Sequence, residues 1–118
     1  MIQVQVHDTT LSVRFPSWTR LFVKAGQVSV PLAAIADVHH LDRPLAAAKG
    51  LRSGLVVSGH TKLGTWTSFS GVKQLVGAHR GVPGLRIVLK YRVAGFDELI
   101  LSVQDAEEIL RQLTAVRR

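Results

Sequence analysis

The chain has 118 residues, no cysteine and a formal net charge of +7. It is the size of one self-sufficient domain, and neither disulfides, thiolate metal ligands nor a cysteine nucleophile are open to it. Its strictly apolar runs span a few residues, far below the roughly 20 that cross a bilayer as a helix, and the alternating start "MIQVQVHD" lacks the pattern of a signal or transit peptide, so none is expected. A single soluble, cytoplasmic domain over 1–118 with no transmembrane segment is the expectation.

Period-2 alternation dominates the first half. Ile2, Val4 and Val6 alternate with Gln3, Gln5 and His7, and Leu11, Val13 and Phe15 alternate with Ser12 and Arg14. This predicts two half-buried strands joined as a hairpin through "HDTT". In "PSWTRLFV" the alternation stops, and Ser17 can cap one helical turn that places Trp18 and Leu21 on one face. "QVSVPLAAIADVHHLD" predicts a strand over Val28 and Val30, a corner at Pro31 and a strand from Ile35 to Leu41, together a second hairpin. From Pro44 to Leu63 the pattern dissolves into Ala and Gly, which predicts an irregular connection with one short strand near Leu55–Ser58.

The second half is clearer. "TWTSF" and "VKQLVGA" flank "SG" at hairpin spacing, and "GLRIVLKYRV" sets Leu85, Ile87, Leu89 and Tyr91 on one strand face, before Gly95 turns the chain into "ELILSV". In "SVQDAEEILRQLTAV" the period changes to 3.6. Asp105 and Glu108 are spaced as a capping box, and Ala106, Ile109, Leu110, Leu113 and Val116 make one apolar stripe. A helix this short is marginal alone. Ile109, Leu110 and Leu113 are therefore expected to pack against the sheets.

Seven or eight antiparallel strands followed by one C-terminal helix is the element order of a pleckstrin-homology-like (PH-like) domain. "VSVPLAAIADV", "LGTWTSFSGVKQLV", "PGLRIVLKY" and "FDELILSVQDAEEILRQL" resemble the strand-corner, later hairpin, long strand and final strand–helix of the small PH-like proteins of bacteria. The resemblance covers nearly the whole chain, and its motifs are structural. It implies a mainly β barrel of two near-orthogonal sheets closed at one end by the terminal helix. Family members that hold phosphoinositides carry a basic cluster around the first hairpin. Here that stretch reads "HDTTLSVR", with Arg14 as its one cation, so no inositol-phosphate residues carry over.

Charge is segregated along the chain. Residues 43 to 92 hold nine basic residues and no acid, whereas five of the eight acids fall between Asp97 and Glu108. Within the basic middle, Arg86, Lys90 and Arg92 fall on the polar side of one strand with Val88, and Arg80 lies in the turn before it. These four are the candidate contacts to an anionic surface; a merely solvated basic face is the competing reading.

Other constellations carry less. In "IADVHHLDR" the adjacent His39 and His40 point to opposite faces of a strand, so each face offers at most an Asp–His pair (Asp37 with His39, His40 with Asp42), short of the three or four ligands of zinc. His40, two residues from Val38, is expected inward and His39 exposed. Ser58 and Ser70 lack the Gly-x-Ser-x-Gly setting, and "GAHRGVPG" lacks phosphate-loop spacing. Glu107 and Glu108 fit first-turn acids of a helix. Trp18, Trp66, Phe69 and Tyr91 suit core packing better than base stacking, since no aromatic-basic interleaving surrounds them.

The expected function is a non-enzymatic interaction module that binds a protein partner or its own kind. The alternative is peripheral binding to anionic lipid through the basic middle. No cofactor, no metal and no nucleic-acid partner is expected.

Overall fold

The computed structural model describes residues 2–16, 27–48 and 50–116, with the backbone alone at Ser53 and Val116. The helical turn expected around Trp18 and Leu21 lies outside the described residues. The chain is mainly β, with two sheets and a C-terminal helix.

Strands β1 (Gln3–Val6), β2 (Thr10–Arg14) and β3 (Gln27–Pro31) form an antiparallel three-stranded sheet in that order. The first hairpin is as its alternation predicts, with Val4 opposite Val13 and Val6 opposite Leu11. The second predicted hairpin is not formed. β3 pairs with β2, while β4 (Ile35–Leu41) pairs with β8 (Gly84–Val93) in the other sheet. The link between them is a single 3-10 turn, Leu32–Ala34, with Leu32 and Ala34 both buried. An exposed polar turn would fold β4 back on β3. This apolar corner instead sinks between the layers and hands the chain from one sheet to the other.

The second sheet runs β4-β8-β9-β7-β6-β5. Its remaining strands are β5 (Leu51–Val57), β6 (Thr61–Thr67), β7 (Lys73–His79) and β9 (Phe96–Ser102). The predicted irregular connection over 44–63 is therefore largely regular: a short helix α1 (Pro44–Ala47), then all of β5 and the start of β6. Nine strands are described rather than seven or eight, and they are not all antiparallel. β9 inserts between β8 and β7 and runs parallel to β7, with Leu75 beside Leu99 and Val76 beside Ile100. The reason is legible in "LIL": Leu99, Ile100 and Leu101 are all buried, so β9 must be covered on both faces. Among the described residues this sheet ends at β4 and β5, which do not pair with each other, so it is open rather than a closed barrel.

The main core lies between the sheets. Leu11, Val13, Val28 and Val30 of the small sheet meet Leu75, Leu85, Ile87, Leu99 and Leu101 of the large one. α2 (Ala106–Val116) packs against β4, β1 and β8. Ala106, Ile109 and Leu113 are buried in that core, and Leu110 lies half-buried at its edge. The expected capping box is replaced by other contacts: the Glu108 carboxylate accepts from Arg111 and Gln112, one turn onward, rather than reaching back.

Candidate functional site

The other face of the six-stranded sheet is chemically different. It carries a smaller apolar cluster, Trp66, Val76, Ala78 and Ile100 with Ala48, which the α1 segment covers through Leu45 and Ala47. Among the described residues the buried polar or charged side chains are Gln74, Glu98 and Ser102, all on the strands β7 and β9 under this cover. Each is tied in place. Ser102 Oγ accepts from the His79 backbone N–H at 2.9 Å.

Gln74 and Glu98 stand side by side in register on the parallel pair. Gln74 Nε2 donates to Glu98 Oε1 and, at 3.0 Å, to the Ala47 carbonyl of α1. Arg86 of β8 donates to Glu98 Oε2 through Nε at 3.3 Å and through Nη2 at 3.1 Å. Burial of a carboxylate is costly unless it is paired and hydrogen-bonded. Glu98, with only 5% of its side chain exposed, has both oxygens engaged, whereas Arg86 remains 46% exposed.

An open cleft of about 470 Å³ lies over this network, lined by Arg43, Ser68, Ser70, Gln74, Arg86 and Glu98 and by apolar Leu41, Ala46, Ala47 and Val72. At its rim the β6–β7 turn is set by Ser68, whose Oγ accepts from the Val72 N–H at 3.0 Å and bonds Ser70 Oγ at 2.9 Å. Phe69, at the tip between the two serines, is 95% exposed.

Folding offsets part of the charge segregation of the sequence, because two acids of β9 pair with two bases of β8. Besides Arg86–Glu98, Arg92 Nε donates to Asp97 Oδ1 at 3.0 Å and Arg92 Nη2 to the Gly71 carbonyl. Asp97 also accepts from the Lys73 backbone N–H, and this bond, with Arg92 beside it, holds its carboxyl below the usual range. The predicted row of Arg86, Lys90 and Arg92 is interrupted, since the β8–β9 register breaks between Val88 and Val93. Tyr91, past the break, is exposed, while Leu85, Ile87 and Leu89 of the predicted face are buried. Lys90 is solvent-exposed and Arg80 sits apart, beside a second cleft shared with Asp42, Arg43 and His79. Burial lowers the His79 pKa, and its Nδ1 lies 3.1 Å from Thr61 Oγ1.

The paired histidines follow strand geometry. His39 Nε2 lies 3.1 Å from Asp37 and His40 Nδ1 3.6 Å from Asp42; His39 is exposed and His40 partly buried. Among the described residues no three His, Asp or Glu side chains gather as a metal would need. Trp66 is core, but Phe69 and Tyr91 are surface residues, against the expectation of core packing.

Reading the sequence missed Gln74 and Glu98. The signal was a polar residue inside an otherwise apolar strand, "KQLVGA" and "DELIL", where alternation assigns it to solvent. No family model, curated protein or solved structure matches this chain. The residues of the site are its own guide.

Proposed function

We propose that this chain is a non-enzymatic interaction module that takes a protein strand, from a partner or from another copy, on the open edge of β5. The observation that carries this reading is the contrast between the two edges of the six-stranded sheet. β4 is blunted as edges usually are, by a register break between Ile35 and Asp37 and by Asp37, His39 and His40. β5, "LRSGLVV", has seven residues, one charge and no proline, with Leu51 70% and Val57 46% exposed. Among the described residues nothing pairs with its outer side. An unprotected edge of this length presents unpaired backbone donors and acceptors that a strand can complete. A PH-like kinship is supported by the order of strands followed by one packed terminal helix; the parallel β7–β9 pair departs from it.

A photocrosslinking amino acid placed at Leu51 in the native cells tests the proposal. Adducts of protein mass that vanish in a Val57→Lys background are expected, because a lysine blunts the edge. Adducts with lipid alone, or none, would overturn it.

A second reading, peripheral binding to anionic lipid, is favoured by Phe69. An exposed aromatic at a turn tip beside Arg92 and the exposed Lys73 is an arrangement that can insert at a charged interface. Of the four cations expected to make that contact, Arg86 and Arg92 have their charge offset by a neighbouring carboxylate, and Arg80 and Lys90 enter no ion pair among the described residues. Flotation with anionic vesicles that weakens with salt and with Phe69→Ala supports this reading; no flotation at low salt removes it.

A further inference from the structure

The cleft over Arg86 and Glu98 offers something that an edge strand does not. A guanidinium is planar and carries five N–H donors in two forks. In Arg86 one fork, Nε with one Nη2 hydrogen, is spent on Glu98 Oε2. The other three N–H groups have no hydrogen-bond partner among the described residues, and the side chain is half-exposed where it lines the cleft. Glu98 is itself fixed by Gln74, and Gln74 by the Ala47 carbonyl. The chain of bonds runs from the backbone of α1 to the guanidinium, so the free fork is held in one plane without further ordering cost.

Such a fork matches the two oxygens of a carboxylate. Arg43, which also lines the cleft and enters no ion pair among the described residues, supplies a second positive charge, and the bonded Ser68–Ser70 pair leaves one hydroxyl donor at the rim. Leu41, Ala46, Ala47 and Val72 provide apolar wall for a short carbon skeleton. The volume of about 470 Å³ falls within the roughly 300–1,000 Å³ of small-molecule sites. A buried ion pair contributes little net stability compared with an apolar replacement, so an arginine oriented by a buried carboxylate on a sheet that could have been apolar calls for a reason other than stability.

We infer that this cleft is a binding site for a small organic carboxylate, gripped by the free fork of Arg86 and by Arg43, with Glu98 and Gln74 as positioning residues. The site is independent of whether β5 accepts a strand.

Titration of the isotope-labelled protein with butyrate, against sodium chloride of equal ionic strength, is the test. Saturable amide shifts at Val72, Ser70, Ala46 and Arg86 are expected. Arg43→Gln, an exposed change that leaves the sheet untouched, should weaken binding about tenfold or more. Arg86→Lys, which keeps the charge but loses the fork, should do the same. Glu98→Gln should weaken it less and be partly rescued by Glu98→Asp, which a bulk charge effect would not produce. The removal of a distant cation by Arg14→Gln should change nothing. Shifts that follow ionic strength alone, equal binding in Arg43→Gln, or tighter binding of inorganic phosphate than of butyrate would each overturn the assignment.

Discussion

The two covered faces of the six-stranded sheet solve the same problem differently. Towards the three-stranded sheet and α2 the cover is wide and wholly apolar, with Leu85, Ile87, Leu99 and Leu101 almost inaccessible. Towards α1 the cover is a single turn of helix, and beneath it lie Gln74, Glu98 and Ser102. The first face is built for stability, since apolar burial is its largest favourable term. The second gives up part of that gain to hold polar groups in fixed positions. It is also the side on which the cleft opens, with Arg43 and Arg86 both lining it. Polar order under thin cover, beside a deep apolar core, is the arrangement that the proposed carboxylate site requires.

Side-chain truncation gives the largest expected contrast. Leu113→Ala, within the apolar face, should cost about 2–5 kcal/mol in urea unfolding, and Leu110→Ala clearly less because Leu110 is half-buried. Equal losses would mean that the helix does not seat as described. On the polar face Glu98→Ala should cost about 1–3 kcal/mol, with hydration of the half-exposed Arg86 limiting the loss. The pair Gln74→Leu with Glu98→Leu should recover most of it, because apolar replacement of a buried ionic network is often neutral or better. A double variant no more stable than Glu98→Ala would show that the polar face is a stability device after all.

Two buried glycines compare the faces directly. A Cβ on Gly84 would stand 2.4 Å from the Leu101 carbonyl oxygen and 2.6 Å from Pro44 Cγ, under α1. A Cβ on Gly77, facing the main core, would meet chiefly the Ile2 Cδ1 end at 2.2 Å. Backbone and a proline ring cannot yield as a side-chain tip can. Gly84→Ala should therefore cost about 1–3 kcal/mol and Gly77→Ala less; the reverse order in thermal melts would contradict the packing under α1.

The smallest effects concern histidines. Because burial lowers the His79 pKa below its usual 6.5, the unfolded chain takes up this proton first on acidification. Stability should fall as pH drops below about 6.5 and level off once the folded-state pKa is passed. His79→Gln should flatten that part of the profile; an unchanged slope would assign it to another group. His39→Ala, at an exposed position on the edge strand, should stay within about 0.5 kcal/mol, with His40→Ala the costlier of the two; a larger effect at His39 would mean that it is not the exposed member of the pair.

What the sequence discloses depends on whether a segment has one wet side. β1, β2, β3 and the first half of β8 alternate because one side is buried and the other is less so, and α2 shows its stripe for the same reason. Residues 44–63 lack a clean period since α1 and β5 lie at the margin of the second, smaller core, to which they give only Leu45, Ala47, Ala48 and Val56 among the described residues. The cleft was hidden for a related reason. Gln74 and Glu98 occupy positions that alternation gives to solvent, and only the α1 segment, folding over them from about thirty to fifty residues away, makes those positions interior.

By itself the sequence determined most local elements outside residues 44–63, the alternating apolar positions and the opposite facing of His39 and His40, because each follows from spacing along one strand or helix. Tertiary structure alone decided which strands pair: that β3 and β4 part at a buried corner, that β9 slips in parallel beside β7, and that basic β8 lies against acidic β9. The physical reason is that pairing is a competition among all strands for the same backbone donors and acceptors. It is settled by which arrangement buries Leu99, Ile100 and Leu101 on both faces while leaving Glu98 an arginine to hold.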